Sequence, residues 1–221
     1  MIFPRPISGS RKCGFTLIEL LVAIGVIAVL AAVVFAGLSG ADRGVALRSA
    51  QATMVNALNA ARTRAVTKGV KVALMVQNDP RDRDRYRRVV AVVETVMDSP
   101  VVISTFELPA NTGVLPHRNR FTAEMRESGN WTGGNTGNAL GSSFLSSTMP
   151  LAIGTTVIEN WEYGEIGAMG TMGGNSAILV GIVRQNPSES FPSIFVSPEQ
   201  VRGMQITTYA LSRMVNGRQG F

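Results

Sequence analysis

Residues 14–38 read GFTLIELLVAIGVIAVLAAVVFAGL, an apolar run broken by a single charge, Glu19. As a helix, residues 15–38 would rise roughly 36 Å against a hydrocarbon core of about 30 Å, enough to span a bilayer with some tilt. The residues before the run carry Arg5, Arg11 and Lys12 and no acid. Under the positive-inside rule this leader stays in the cytoplasm, and the chain beyond Leu38 lies across the membrane. The sequence therefore predicts a leader (1–14), a transmembrane helix (15–38), an amphipathic continuation of the stem (39–69) and an extracytoplasmic domain (70–221). A secretory signal peptide also starts basic and turns apolar, but its apolar region is about 7–15 residues long. Ala31-Ala32-Val33 and Phe35-Ala36-Gly37 are weak cleavage sites that keep this second reading open.

The segment GFTLIEL followed by an uninterrupted apolar helix resembles the N-terminal signature of type IV prepilins and pseudopilins. The resemblance implies that a prepilin peptidase cuts after Gly14, that the amine of the new N-terminal residue Phe15 is methylated, and that Glu19 is the assembly carboxylate. It also implies the partners: other pilin or pseudopilin subunits and an ATP-driven inner-membrane assembly platform. The expected location is the bacterial inner membrane, crossed once with the N-terminus cytoplasmic, and then a fibre.

A carboxylate in the first apolar turns of a membrane helix is costly without a counter-charge. A freed α-amine at Phe15, with a reference pKa of about 8, stays largely cationic and is a natural partner. Supplied by a neighbouring subunit, it would neutralise Glu19 in a low dielectric and set the register between subunits. Two alternatives need no neighbour: Glu19 reaching back one turn to its own Phe15 amine, or snorkelling to the headgroups.

With 221 residues, of which 45% are hydrophobic and 16% charged, the chain fits one modest exported domain behind a membrane stem. Three of its 21 basic residues and none of its 15 acids lie in the leader, so processing takes the formal charge from +6 to +3. The one cysteine, Cys13, precedes Gly14, which leaves the processed chain without a thiol or a disulfide. Many major type IV pilins carry a C-terminal disulfide loop, so its absence favours a pseudopilin or minor pilin.

After Ser39-Gly40-Ala41-Asp42 the pattern becomes amphipathic, with Val45, Ala52, Val55, Leu58, Ala61 and Ala65 on one helical face and Gly69 as the stop. The passage through Ala61-Arg62, Ala65 and Gly69 into the valine-rich segment near Val72 is similar to the helix-to-strand passage of GspH/FimT-like pseudopilins. Strands are expected at 70–76, 86–96, 101–108, 153–158, 177–183, 193–196 and 204–211. The fold class is α+β: a long N-terminal helix, its first half transmembrane, packed on an antiparallel β-sheet or small β-sandwich, as in pilins. Residues 111–150 are turn-rich and are expected as one or two long loops centred on Trp131, a place to look for what distinguishes this subunit.

The inventory for catalysis is thin, and no enzyme is expected. His117 stands alone in a loop, there is no Gly-x-Ser-x-Gly elbow, and the glycine-rich residues 164–175 lack the Lys-Ser/Thr of a phosphate loop and are expected as a hairpin connection. No catalytic residue, cofactor or metal ligand is assigned. Asp79, Asp82 and Asp84 sit among Arg81, Arg83, Arg85 and Arg87, which would oppose a cation. The same arginines, with Arg88 and Tyr86, make a basic cluster at an expected hairpin tip, and FimT-like minor pilins are implicated in DNA uptake; nucleic acid is nonetheless the less favoured partner, because three aspartates offset the charge. The principal function read from the sequence is a minor pseudopilin or minor pilin of a type II secretion pseudopilus or type IV pilus-like fibre. The alternative is a signal-anchored extracytoplasmic binding protein, a DNA-uptake or surface-binding module.

Overall fold

The computed structural model describes residues 16–96, 99–153, 156–187 and 190–221, with backbone alone at 33–41, 96, 99, 152–153 and 156–159. Leader residues 1–14 and Phe15 lie outside this set. The chain divides into two compact units, Met1–Asp42 and Arg43–Phe221. One helix, α1 (Leu17–Lys68), contributes to both.

Within the second unit α1 is rich in alanine, the strongest helix former. It buries Leu47, Ala50, Met54, Ala57, Leu58, Ala61 and Ala65 along one stripe at spacings of three and four. This is a correction to the expected face: Leu58, Ala61 and Ala65 belong to it, but Val45 is 64% exposed and Ala52 points to solvent. Four alanines on the stripe let the helix backbone come close to the sheets. Gly69 stops the helix with φ +64°, and Val70 N–H reaches back to Ala65 O at 3.2 Å. That six-to-one bond is a Schellman cap, whose left-handed residue favours glycine.

Ten strands follow: β1 (Val72–Gln77), β2 (Val89–Val96), β3 (Ser99–Glu107), β4 (Thr112–Val114), β5 (Ser147–Ile153), β6 (Thr156–Ile166), β7 (Ser176–Gln185), β8 (Ser193–Phe195), β9 (Val201–Ile206) and β10 (Ser212–Asn216). They form two antiparallel sheets, the first in order β3-β2-β1-β6-β5 and the second in order β10-β9-β7-β4, with β8 also paired to β7. The architecture is α+β, of the sandwich kind. β1 is central and buried along its whole length, because its two faces serve different clusters. Val72, Leu74 and Val76 join the α1 stripe, together with Ile178, Val180, Met204 and Ile206 of the second sheet, in the main core. Ala73 and Met75 pack on the opposite face with Val89, Ala91, Val93, Leu151 and Trp161.

Several expected strands shift. Residues 153–158 fall across the end of β5 and the start of β6, and β4, β10 and most of β5 and of the long polar strand β6 lie outside the expected strands. Residues 204–211 end in the turn between β9 and β10, which pair from Ser212↔Ile206 to Asn216↔Arg202. The β5–β6 register slips between Met149 and Leu151, where Pro150 has no N–H to give to the ladder. Residues 164–175 carry the chain from the first sheet to the second, so they are a crossover and not a hairpin connection.

Residues 111–150 contain β4, the 3-10 turns Arg118–Arg120 and Ala123–Met125, and the start of β5. They cover the outer face of the second sheet and build another core there, in which Phe121, Met125, Trp131 and Leu140 close over Leu179, Val183, Phe195 and Val201.

Candidate functional site at the N-terminal helix

Thr16 and Glu19 hold each other at the start of α1. Thr16 N–H and Thr16 Oγ1–H both donate to Glu19 Oε2 at 2.9 Å, and Glu19 N–H donates to Thr16 Oγ1 at 3.3 Å. This is a capping box, in which two otherwise orphaned N–H groups of the first helical turn are satisfied reciprocally. Glu19 Oε1 has no hydrogen bond among the described residues. The Thr-x-x-Glu spacing is visible in the sequence, although in an apolar run Glu19 stands out as a charge rather than as the partner of Thr16. Gly14 and Phe15, the expected processing residues, lie outside the described residues.

From Leu17 to Ala32 the helix is apolar on every side apart from Glu19. Leu17 is 81% exposed, and Ile18, Leu20, Leu21, Val22, Ile24, Val26, Ile27, Val29 and Leu30 are exposed as well. Consecutive positions point in directions about 100° apart, so this set covers the whole circumference, a pattern suited to lipid or to a protein core rather than to water. Among the described residues no helix is long and apolar enough to cross a membrane. The apolar run 15–38 starts outside the described residues, and the side chains of 33–38 are not described.

The remaining sequence candidates are structural. Trp131 is buried, donates Nε1–H to Glu127 O at 2.9 Å and meets Phe121 edge-on at 5.2 Å, so it pins the covering segment to its own domain. His117 caps the 3-10 turn, its Nδ1 accepting from Asn119 N–H at 3.3 Å. Burial, then the charge of Arg120, hold its imidazole below the usual range, with Arg118 adding to the effect and Glu162 opposing it. The arginines of 81–88 are engaged: Arg81 with Asp79, Arg85 with Asp82, Arg88 with Glu107, and Arg83 with Pro187 O. Tyr86 is buried. Most of the expected basic tip is thus engaged in ion pairs within the chain, while Arg83, exposed, meets only a backbone carbonyl among the described residues. Among the described residues no group of His, Cys, Asp and Glu is placed to hold a metal ion.

A buried charge cluster escaped the sequence reading. Arg87, 1% exposed and held at φ +60°, pairs through Nη1 with Glu162 Oε2 at 2.6 Å, and Arg120 Nη1 approaches Glu162 Oε1 at 3.1 Å. Burial works to raise the Glu162 carboxyl, but Arg87 and Arg120 outweigh it and leave the group below its usual value. Polar β6 supplies Glu162 and the β1–β2 connection supplies Arg87, so the pair ties the middle strands of the first sheet to the covering segment that carries Arg120. His117 N–H also approaches Glu162 Oε2 at 3.4 Å, and the buried carboxylate, held from three sides, acts as a structural clamp.

A family model described as the prokaryotic N-terminal methylation motif matches residues 9–35, a stretch that contains Gly14, Phe15, Thr16 and Glu19. No curated protein and no solved structure matches the chain. The motif is that of type IV prepilin-like proteins. It points to a structural subunit rather than an enzyme, implies processing by a prepilin peptidase and assembly with other pilin subunits, and suggests a membrane-anchored precursor of a fibre.

Proposed function

We propose that the chain is a minor pseudopilin or minor pilin of the GspH/FimT-like kind, cut after Gly14, methylated at the Phe15 amine and assembled into a type II secretion pseudopilus or a type IV pilus-like fibre. The observation that carries the reading is the methylation motif over residues 9–35, continued by a helix whose described apolar residues are uncovered on all sides. In this reading residues 15–38 anchor the precursor in the inner membrane with the N-terminus cytoplasmic, and then pass into the fibre interior. Glu19 supplies the charge that a neighbouring subunit's Phe15 amine neutralises. Its Oε2 already serves the capping box, so Oε1 is the oxygen available to that amine. The assembly platform at the inner membrane is the expected machine, and the β domain is the part displayed outside.

The intact mass and N-terminal residue of the protein recovered from its native membrane test this reading. A chain beginning at methylated Phe15 supports it. A chain beginning at Met1 indicates a plain signal anchor carrying a binding domain, and cleavage near Ala32 or Gly37 indicates a secreted domain; either result overturns the proposal.

A further inference from the structure

The covering segment does not close completely over the second sheet. Where β7 begins and β9 ends, residues 133–143 leave a cavity of about 500 Å³. That is within the range of roughly 300–1,000 Å³ typical of ligand sites. Its accessible apolar lining comes from Ala139, Ala177 and Phe221, with Leu140, Leu179 and Ile206 buried behind them, and its cationic lining from Arg118 and Arg213. No aspartate or glutamate lines it.

Three other arginines of the domain are held by a carboxylate, Arg120 by Glu162, Arg184 by Glu127 and Arg218 by Glu199. The Arg118 and Arg213 side chains have no ion pair or hydrogen bond to any described residue, and both residues are exposed. Two unneutralised cations over an apolar floor favour an anion that also carries apolar groups, and the planar guanidinium fork matches a carboxylate in two-point geometry.

The walls are fixed before any ligand arrives. Ser142 Oγ accepts from Leu179 N–H at 3.1 Å, Ser143 Oγ accepts from Ala177 N–H at 2.9 Å, and Phe144 N–H donates to Ala177 O at 3.1 Å. A side chain at Gly141 would bring its Cβ to 2.5 Å from Arg118 Cα, so glycine is what lets the 3-10 turn that begins at Arg118 sit against this wall. Along the wall, side-chain amides are half used. Asn175 Oδ1 accepts from Thr208 N–H and Gln205 Nε2 donates to Gly220 O. Asn175 Nδ2 remains as a donor and Gln205 Oε1 as an acceptor, a pairing that matches the C=O and N–H of a peptide unit. Ser176 Oγ, in the same lining, is buried without a hydrogen-bond partner among the described residues.

We propose that this cavity binds a short acidic peptide segment of a partner protein, with its carboxylates on Arg118 and Arg213, an apolar side chain on Ala139, Ala177 and Phe221, and its backbone between Asn175 and Gln205. Nucleic acid fits less well, because backbone phosphates call for a stripe of cations and stacking faces rather than two arginines around an apolar floor. This inference is independent of fibre assembly.

The test uses the full chain in phosphatidylcholine nanodiscs and the polarisation of a fluorescein-labelled hexapeptide of alternating glutamate and leucine. The expected result is saturable binding that weakens with added salt and falls about tenfold in the Arg118→Gln, Arg213→Gln double variant, as loss of two part-exposed charge pairs predicts. In the Arg118→Glu, Arg213→Glu variant preference should switch to the lysine–leucine hexapeptide, which also shows that the cavity survives the substitutions. Absence of saturable binding, equal affinity in wild type and variants, or displacement by free glutamate or by a short single-stranded oligonucleotide as effective as the unlabelled peptide would each overturn the proposal.

Discussion

Glu19 does two separable jobs, and substitution can separate them. Its Oε2 caps the helix through Thr16, and its charge is the feature expected to dock a neighbour. A glutamine at this position keeps an oxygen to accept the Thr16 bonds and removes the charge, whereas Thr16→Ala removes the cap partner and leaves the charge. Glu19→Gln is expected to abolish recovery of the protein in sheared fibres while the membrane pool persists. Thr16→Ala is expected to cost about 1 kcal/mol at the helix start and to leave fibres forming. Fibre and membrane fractions compared by immunoblot check this, and the reverse ranking would reduce Glu19 to a cap. The clamp at Arg87 and Glu162 belongs to the same scale. Glu162→Ala leaves a buried guanidinium with only one side of its pair and should destabilise the fold by about 3–5 kcal/mol, more than a double replacement by apolar residues of similar volume. Urea unfolding of the single and double variants measures the difference. The titrations share one sign. Because Glu162 has a folded pKa below its unfolded value, its contribution is complete above the unfolded pKa of about 4.3 and is lost as pH falls through the folded value. His117, also lowered, binds its proton better in the unfolded chain, so it costs stability as pH falls below about 6.5. Unfolding followed between pH 7.5 and 5 should therefore slope downward toward acid. His117→Asn, which keeps an acceptor for Asn119 N–H, should flatten that part of the curve.

At the scale of the element, the Schellman cap at Gly69 decides where the stem gives way to the sheet. Its φ of +64° means that Gly69→Ala places a Cβ in a left-handed conformation, at a cost of about 1 kcal/mol, although the space around it is open. A lower urea midpoint with an unchanged slope is the expected readout; no change would mean that the cap is frayed in solution. The end of α1 and the strands near 72–77, 89–96 and 99–107 were legible because glycine and runs of β-branched residues mark them directly. The buried stripe was legible only in part. Leu58, Ala61 and Ala65 were found, but an alanine-rich helix offers several nearly equal faces, and only contact with both sheets selects Leu47, Ala50 and Met54 over Val45 and Ala52. β6 was hidden because its sequence around Trp161 and Glu162 is polar, and the burial that makes it a strand is offset by Arg87, distant in sequence. β10 was hidden as a short, exposed edge strand, with Arg213 and Met214 giving no clear alternation. At the N-terminus the chemistry of Glu19 was legible from its place in an apolar run, while the Thr16 cap needed the three-residue spacing to be weighed as well.

In the molecule as a whole the second sheet lies between two cores, and β7 serves both. Ile178, Val180 and Ile182 face the α1 side, and Leu179 and Val183 face the covering segment. A strand shared in this way couples the cores, since it cannot keep its register on one face while its other face is released. Residues 111–150 look like a surface loop in composition because their apolar residues are spaced irregularly, yet Phe121, Trp131 and Leu140 close a core together with Phe195 from β8. Trp131→Ala removes the ring at 5.2 Å from Phe121 and the Nε1–H bond to Glu127 O, in a place where the aromatic neighbours cannot collapse to fill the gap. The expected cost is about 3–5 kcal/mol. The chain has two tryptophans, so in this variant Trp161, fully buried in the first sheet on the side away from α1, becomes the sole fluorescent reporter. If the domain unfolds as one cooperative unit, the urea midpoint read from Trp161 should fall by the full cost, even though the lost ring lies over the other sheet. The reference is Trp131→Phe, which keeps a packed ring, leaves the same reporter and should fall much less. A Trp161 midpoint that stays the same in Trp131→Ala and Trp131→Phe, with proteolysis opening only residues 111–150 in the former, would mean that the covering segment is a separately stable layer and that β7 does not transmit its loss.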